Sequence, residues 1–136
     1  MQTLITKSER DTEAAGQALA PRLARGAVVL LTGPLGAGKT AFARGLAAGL
    51  GCDLDGVSSP TFTIIQEYPG PIPLQHVDLY RLSPAEVDDL LLEDLLEDAV
   101  MAVEWPDRWL RAPAHAIRVD IVPTGDTERR LTINAL

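Results

Sequence analysis

With 136 residues, 46% of them hydrophobic, the chain is sized for a single domain (residues 1–136) that can bury a core. Its net charge of −7, with Lys7 and Lys39 its only lysines and its arginines scattered apart from Arg129-Arg130, opposes free-standing docking on nucleic-acid phosphates, which needs clustered cations. The lone Cys52 excludes an internal disulfide or a cysteine-cluster metal site, and the absence of an apolar run of about 18 residues or an export-type start leads us to expect a soluble, cytoplasmic protein.

In chain order, Met1 to Thr6 reads as a short edge strand. Ser8-Glu9-Arg10-Asp11 resembles a capping box with Asp in the place of Glu, opening an Ala-rich helix to Arg25 that Pro21 should kink and Gly26 should end. Ala27–Thr32 is apolar without alternation, as in a central strand covered on both faces. The helix after it, from Ala41 to Ala48, is closed by Gly49-Leu50-Gly51. Residues 53–60 read as a connection, and Phe62–Tyr68 and Ile72–Leu79 as an antiparallel pair around Pro69-Gly70-Pro71, with Pro73 placing the second run near an edge. Ser83-Pro84-Ala85-Glu86 combines an N-cap, a first-turn proline and a capping-box glutamate, so helix is expected within Leu82–Asp98. Ala99–Val103 is a short buried strand that delivers Glu104 at its C-terminal end, and Ile117–Val122 and Arg130–Ile133 are late strands. The sum is a P-loop NTPase-like α/β fold of three layers, a mixed parallel and antiparallel sheet flanked by helices.

Gly33-Pro34-Leu35-Gly36-Ala37-Gly38-Lys39-Thr40 fits G-x-x-x-x-G-K-[ST] between the central strand and its helix, which is the context that pattern requires. Glycines let backbone N–H groups turn inward around phosphates. Lys39 can reach the β and γ groups, the Thr40 hydroxyl can ligate Mg²⁺, and the helix beginning at Ala41 presents its positive end to the anion. A nucleoside triphosphate is therefore the expected ligand. Phosphoryl chemistry also needs a carboxylate near the metal, and Glu104 and Asp78, each at a strand end, compete for that role with the alternative of being solvated charges. Thr61 can serve either a turn or a segment that reaches the γ-phosphate. Arg81 can neutralise phosphate or pair with neighbouring acids, Trp105 and Trp109 can stack or pack, and His76, with no second histidine beside it, is orienting or structural.

Taken together, the phosphate loop, Ser59-Pro60-Thr61-Phe62-Thr63, the hexapeptide His76–Arg81 and Val103-Glu104-Trp105 resemble, in order and spacing, the TsaE (YjeE) family over nearly the whole chain. The resemblance implies an ATPase needed to form threonylcarbamoyladenosine beside the anticodon of tRNAs that read codons starting with A. It implies ATP and Mg²⁺ as ligands and the TsaB–TsaD pair as partner. TsaD carries the transfer chemistry, tRNA is met only through the partners, and hydrolysis is weak alone and supports repeated turnover. Carried over by motif, Gly33, Leu35, Gly36, Ala37, Gly38, Lys39, Thr40 and Ala41 bind the nucleotide, with Thr12 near the base and Arg129 near the ligand. Lys39, Asp78, Glu104 and Thr61 are the catalytic set, and Thr40, Glu104 and Asp78 the metal set, with the division of roles between the two acids left open. Pro34 stands where the family commonly has an acid, and Leu90 where it often has glycine. Two other readings compete: a small P-loop metabolite kinase, which would need an arginine-bearing lid, and a nucleotide-sensing adaptor that does not hydrolyse ATP.

Overall fold

The computed structural model describes residues 1–55 and 64–134. Seven strands form one sheet: β1 (Gln2–Thr6), β2 (Val28–Thr32), β3 (Ile65–Tyr68), β4 (Leu74–Asp78), β5 (Val100–Glu104), β6 (Ile117–Pro123) and β7 (Arg129–Asn134), in the order β1-β7-β6-β2-β5-β4-β3. The four inner strands β6, β2, β5 and β4 are parallel; β7 and β1 at one side and β3 at the other are antiparallel additions. β2 lies at the centre, and each face of it is covered. Val29 and Leu31 belong to a core with Phe42, Leu46 and Leu19, whereas Val28 and Leu30 belong to a second core with Val87, Leu92, Met101 and Trp109. This two-sided burial explains why its sequence runs apolar without alternation.

The first core sits under α1 (Glu9–Leu19) and α2 (Lys39–Gly49); the second sits under the short α3 (Pro84–Asp89) and α4 (Leu92–Leu95). Helix α1 and α2 approach closely because glycines stand at their crossing. A methyl group on Gly16 would collide with the Phe42 carbonyl oxygen, and one on Gly45 with that of Glu13. None of the described helices is long and apolar enough to cross a membrane.

Several local expectations change. Helix α1 stops at Leu19 and passes into a 3-10 turn, Ala20–Arg22, because Pro21 has no N–H to continue the ladder. The Ser8 hydroxyl does accept from the Asp11 amide, but the Asp11 carboxylate reaches the amide of Lys7, one residue before the N-cap: its side chain is shorter than the glutamate of a capping box. Strand β4 is interior, with β3 outside it, and Pro73 precedes its first residue, where a missing N–H costs nothing to the ladder. The expected helix after Ser83 forms with its full capping box but divides in two at Leu91, whose φ of 52° is left-handed. Thr61, the Ser59–Thr63 motif and the start of the Phe62–Tyr68 run lie outside the described residues.

Candidate functional site

Alternation along the parallel strands decides which side chains meet the phosphate loop. Val77 and Val103 point into the second core, so His76, Asp78 and Glu104 emerge on the opposite face, beside α2. Asp78 and Glu104 are register partners at the carboxyl ends of β4 and β5, level with the loop that follows β2. In open α/β sheets ligands bind at this end of the strands. A shift of one residue in either strand would carry its acid to the wrong side of the sheet.

Within the loop, Gly33, Gly36 and Gly38 hold φ values of 150°, 78° and 106°, which side-chain-bearing residues rarely adopt. Gly38 is the N-cap of α2, so the positive end of that helix opens where its first residues, Lys39 and Thr40, stand. The Lys39 ammonium is buried. It donates to the Gly33 carbonyl at 2.8 Å, lies 4.0 Å from Glu104 Oε1, and sits 4.0 Å from the centre of the Trp105 ring. Burial pushes its pKa below the ordinary lysine range, against the opposing pull of Glu104 and then Asp78. Trp105 reaches this position because its own left-handed φ of 59° ends β5 and turns the chain; Tyr80 packs against the ring at 5.0 Å.

Glu104 is the hub. Its Oε2 lies within hydrogen-bond distance of His76 Nε2, at 2.6 Å, and accepts from the Thr40 hydroxyl at 3.4 Å. One oxygen of Asp78 accepts from the Tyr80 amide at 3.0 Å, a local turn that steadies the carboxylate. A cleft of about 520 Å³ joins Lys39, Thr40, Ala41, Asp78 and Glu104 to Leu35, Gly36 and Gly38 of the loop, and extends between Ser8, Glu9 and Thr12 of the α1 end and Asp126, Thr127 and Arg129 of the β6–β7 turn. Hard oxygen donors from Thr40 and Glu104 suit Mg²⁺, and Asp78 supplies a further carboxylate. Among the described residues no group of three His, Cys, Asp or Glu is placed to hold a metal ion by itself.

The structure thus brings together the expected residues that it describes, Thr61 lying outside them, but not all as lining. Gly33 and Ala37 shape the loop through their carbonyls, accepting from Lys39 and from Arg129 Nε (3.0 Å). Arg129 lines the cleft yet spends its fork on backbone: Gly36, Gly125 and Glu128 carbonyls also accept from it, tying the β6–β7 turn to the loop. The Thr12 hydroxyl pairs with Thr6 at 2.8 Å, so it is the methyl of Thr12 that faces Gly38, a Cβ there lying 3.5 Å away. Arg81 is exposed and makes no ion pair among the described residues, and Trp109 is buried in the second core. Sequence reasoning missed the cleft walls at Glu9, read only as part of a cap, and at Asp126 and Thr127, and the stacking of Trp105 on Lys39. The left-handed turn that delivers Trp105 has no glycine to announce it.

A phosphate loop after the central strand, with acids from the adjoining parallel strands beside it, defines a P-loop NTPase-like α/β protein. Comparison with known proteins narrows the class. The family model described as threonylcarbamoyl adenosine biosynthesis protein TsaE matches residues 6–131. The tRNA threonylcarbamoyladenosine biosynthesis protein TsaE of Synechocystis sp. is 45% identical over 109 residues, 76% of this chain and 69% of that protein; its Bacillus subtilis counterpart is 40% identical over 134 residues, 96% and 84% of the two chains. The crystal structure of Bacillus subtilis YdiB superposes with a TM-score of 0.80 at 34% identity, covering 98% of this chain and 84% of that one. The chain belongs to the TsaE family.

Proposed function

We propose that this protein is the ATPase of tRNA threonylcarbamoyladenosine synthesis, acting with a TsaB–TsaD pair and hydrolysing ATP so that the modification can turn over repeatedly. The observation that carries the reading is the convergence, in one cleft, of the Gly33–Thr40 loop with Glu104 and Asp78 from adjacent strand ends. Loop amides and the start of α2 hold the phosphates, and Lys39 supplies the buried cation for the β and γ groups. The base lies toward Thr12, Asp126 and Thr127, which line the cleft together with the loop. Thr40 and Glu104 would hold Mg²⁺, which would offset charge on the phosphate oxygens. Asp78, with one oxygen fixed by the Tyr80 amide, orients the attacking water with the other. Thr61 completes the set as the residue that registers the γ-phosphate.

Slow hydrolysis by the protein alone follows from the same inventory. Lys39 and Arg129 are the cations among the described lining residues, and Arg129 is committed to loop carbonyls. The γ-phosphoryl group is left short of donors until partners contribute them. The acidic surface agrees with tRNA contacts being made by TsaB–TsaD. A reconstituted assay with TsaB, TsaD, tRNA and the threonylcarbamoyl donor tests the reading. It should show phosphate release that rises when the partners are added, and modification of more than one tRNA per complex only when this protein is present. Phosphate release indifferent to partners, single-turnover modification regardless of this protein, or a phosphorylated metabolite as product would each overturn it.

A further inference from the structure

The buried His76–Glu104 contact has no counterpart in the roles assigned so far. Both side chains are almost fully buried, and Glu104 uses one carboxylate oxygen, Oε2, toward both His76 Nε2 and Thr40 Oγ1, while Oε1 faces Lys39. The other ring nitrogen of His76, Nδ1, is buried without a hydrogen-bond partner among the described residues. A histidine kept for the fold alone would be expected to satisfy both nitrogens. Among the described residues this ring's hydrogen bond goes to the carboxylate that faces the loop lysine and threonine. An ionised carboxylate can only accept, so the Nε2–H donates.

We propose that His76 is a positioning residue that holds the Glu104 carboxylate turned toward Thr40 and away from a close ion pair with Lys39, and thereby sets the protein's affinity for the nucleotide-bound metal. The inference rests on the proposed Mg²⁺–ATP reading of the cleft. Lys39 and His76 compete for the same carboxylate: the ammonium stands 4.0 Å from Oε1, and the imidazole 2.6 Å from Oε2. Removing the imidazole donor frees Glu104 to swing onto Lys39, which withdraws a metal ligand and occupies the phosphate-binding cation at once. Neighbours that orient metal ligands in this way typically govern metal affinity by roughly 10- to 100-fold.

The test is binding of a non-hydrolysable ATP analogue, with and without EDTA, to wild type, His76→Leu and His76→Gln. Glutamine can place an amide N–H near the position of Nε2; leucine cannot donate. In His76→Leu the Mg²⁺ concentration needed for half of the metal-dependent binding should rise roughly 10- to 100-fold, binding in EDTA should weaken as well because Lys39 is then engaged by Glu104, and His76→Gln should restore both toward wild type. Equal Mg²⁺ dependence in all three proteins overturns the inference while leaving the nucleotide site standing; no analogue binding by folded wild type overturns the functional reading beneath it. Should the leucine variant fail to fold, nitrogen NMR of the wild-type protein decides: a proton on Nε2 is expected, and a proton on Nδ1 alone contradicts the donation to Glu104.

Discussion

Lys39 is buried and shared among a carbonyl, a carboxylate and an aromatic face, and its lowered pKa has a direct consequence for binding. Between that lowered value and the ordinary 10.5 the unfolded chain binds more protons than the folded one, so the ligand-free protein gains stability as pH rises across this window. Phosphate oxygens pull the other way and raise the Lys39 pKa, so ATP binding takes up protons in the alkaline range and weakens as pH rises through the free protein's Lys39 value. Calorimetry in buffers of different ionisation heat should register this uptake in the wild-type protein. Asp78 presents the opposite case, a side chain with one oxygen already engaged by the Tyr80 amide. Asp78→Asn should retain ATP affinity within a few-fold and lose hydrolysis by on the order of 100-fold, measured as phosphate release in the partner complex. A parallel loss of binding would move Asp78 from water orientation to nucleotide retention. At this scale the sequence was most readable where one residue type does one job. The loop glycines, Lys39, Thr40 and the two acids stand together as expected, whereas Arg129 and Trp105 make contacts to the loop that depend on how distant turns fold back.

Among the elements, the α1–α2 crossing governs the Thr12 side of the cleft. Gly16 and Gly45 permit a backbone approach too tight for a methyl group, and that approach sets Thr12 against Gly38. Gly45→Ala should therefore cost about 1–3 kcal/mol in denaturant unfolding through overpacking, and should weaken nucleotide binding by moving α1. Unchanged stability would mean that the helices can separate without cost. The strand pattern carried most of the fold because β2 and β5 are apolar on both faces and need two covering layers. Element ends were harder. The division of the helix after Ser83 depends on a left-handed Leu91, and the interior place of β4 on β3 closing the sheet beyond it; neither has a local sequence mark. The segment holding Thr61 lies outside the described residues, so its expected part in sensing the nucleotide rests on motif resemblance alone.

The whole molecule combines a cleft built around a phosphate-loop motif with an acidic net charge, and in the proposed reaction the two divide the labour. A net charge of −7 gives no counterion-release drive toward tRNA, so the chain alone should not retain tRNA at physiological salt, whereas the loop concentrates oriented amides and one buried cation on a small anion. Everything proposed depends on the cleft between α1, the phosphate loop and the β6–β7 turn holding Mg²⁺–ATP. Isothermal titration of the folded protein with Mg²⁺–ATP, alone and then with TsaB–TsaD, is the decisive measurement. One saturable site per chain, abolished in Lys39→Met, is the expected result; no adenine-nucleotide binding under either condition would contradict it.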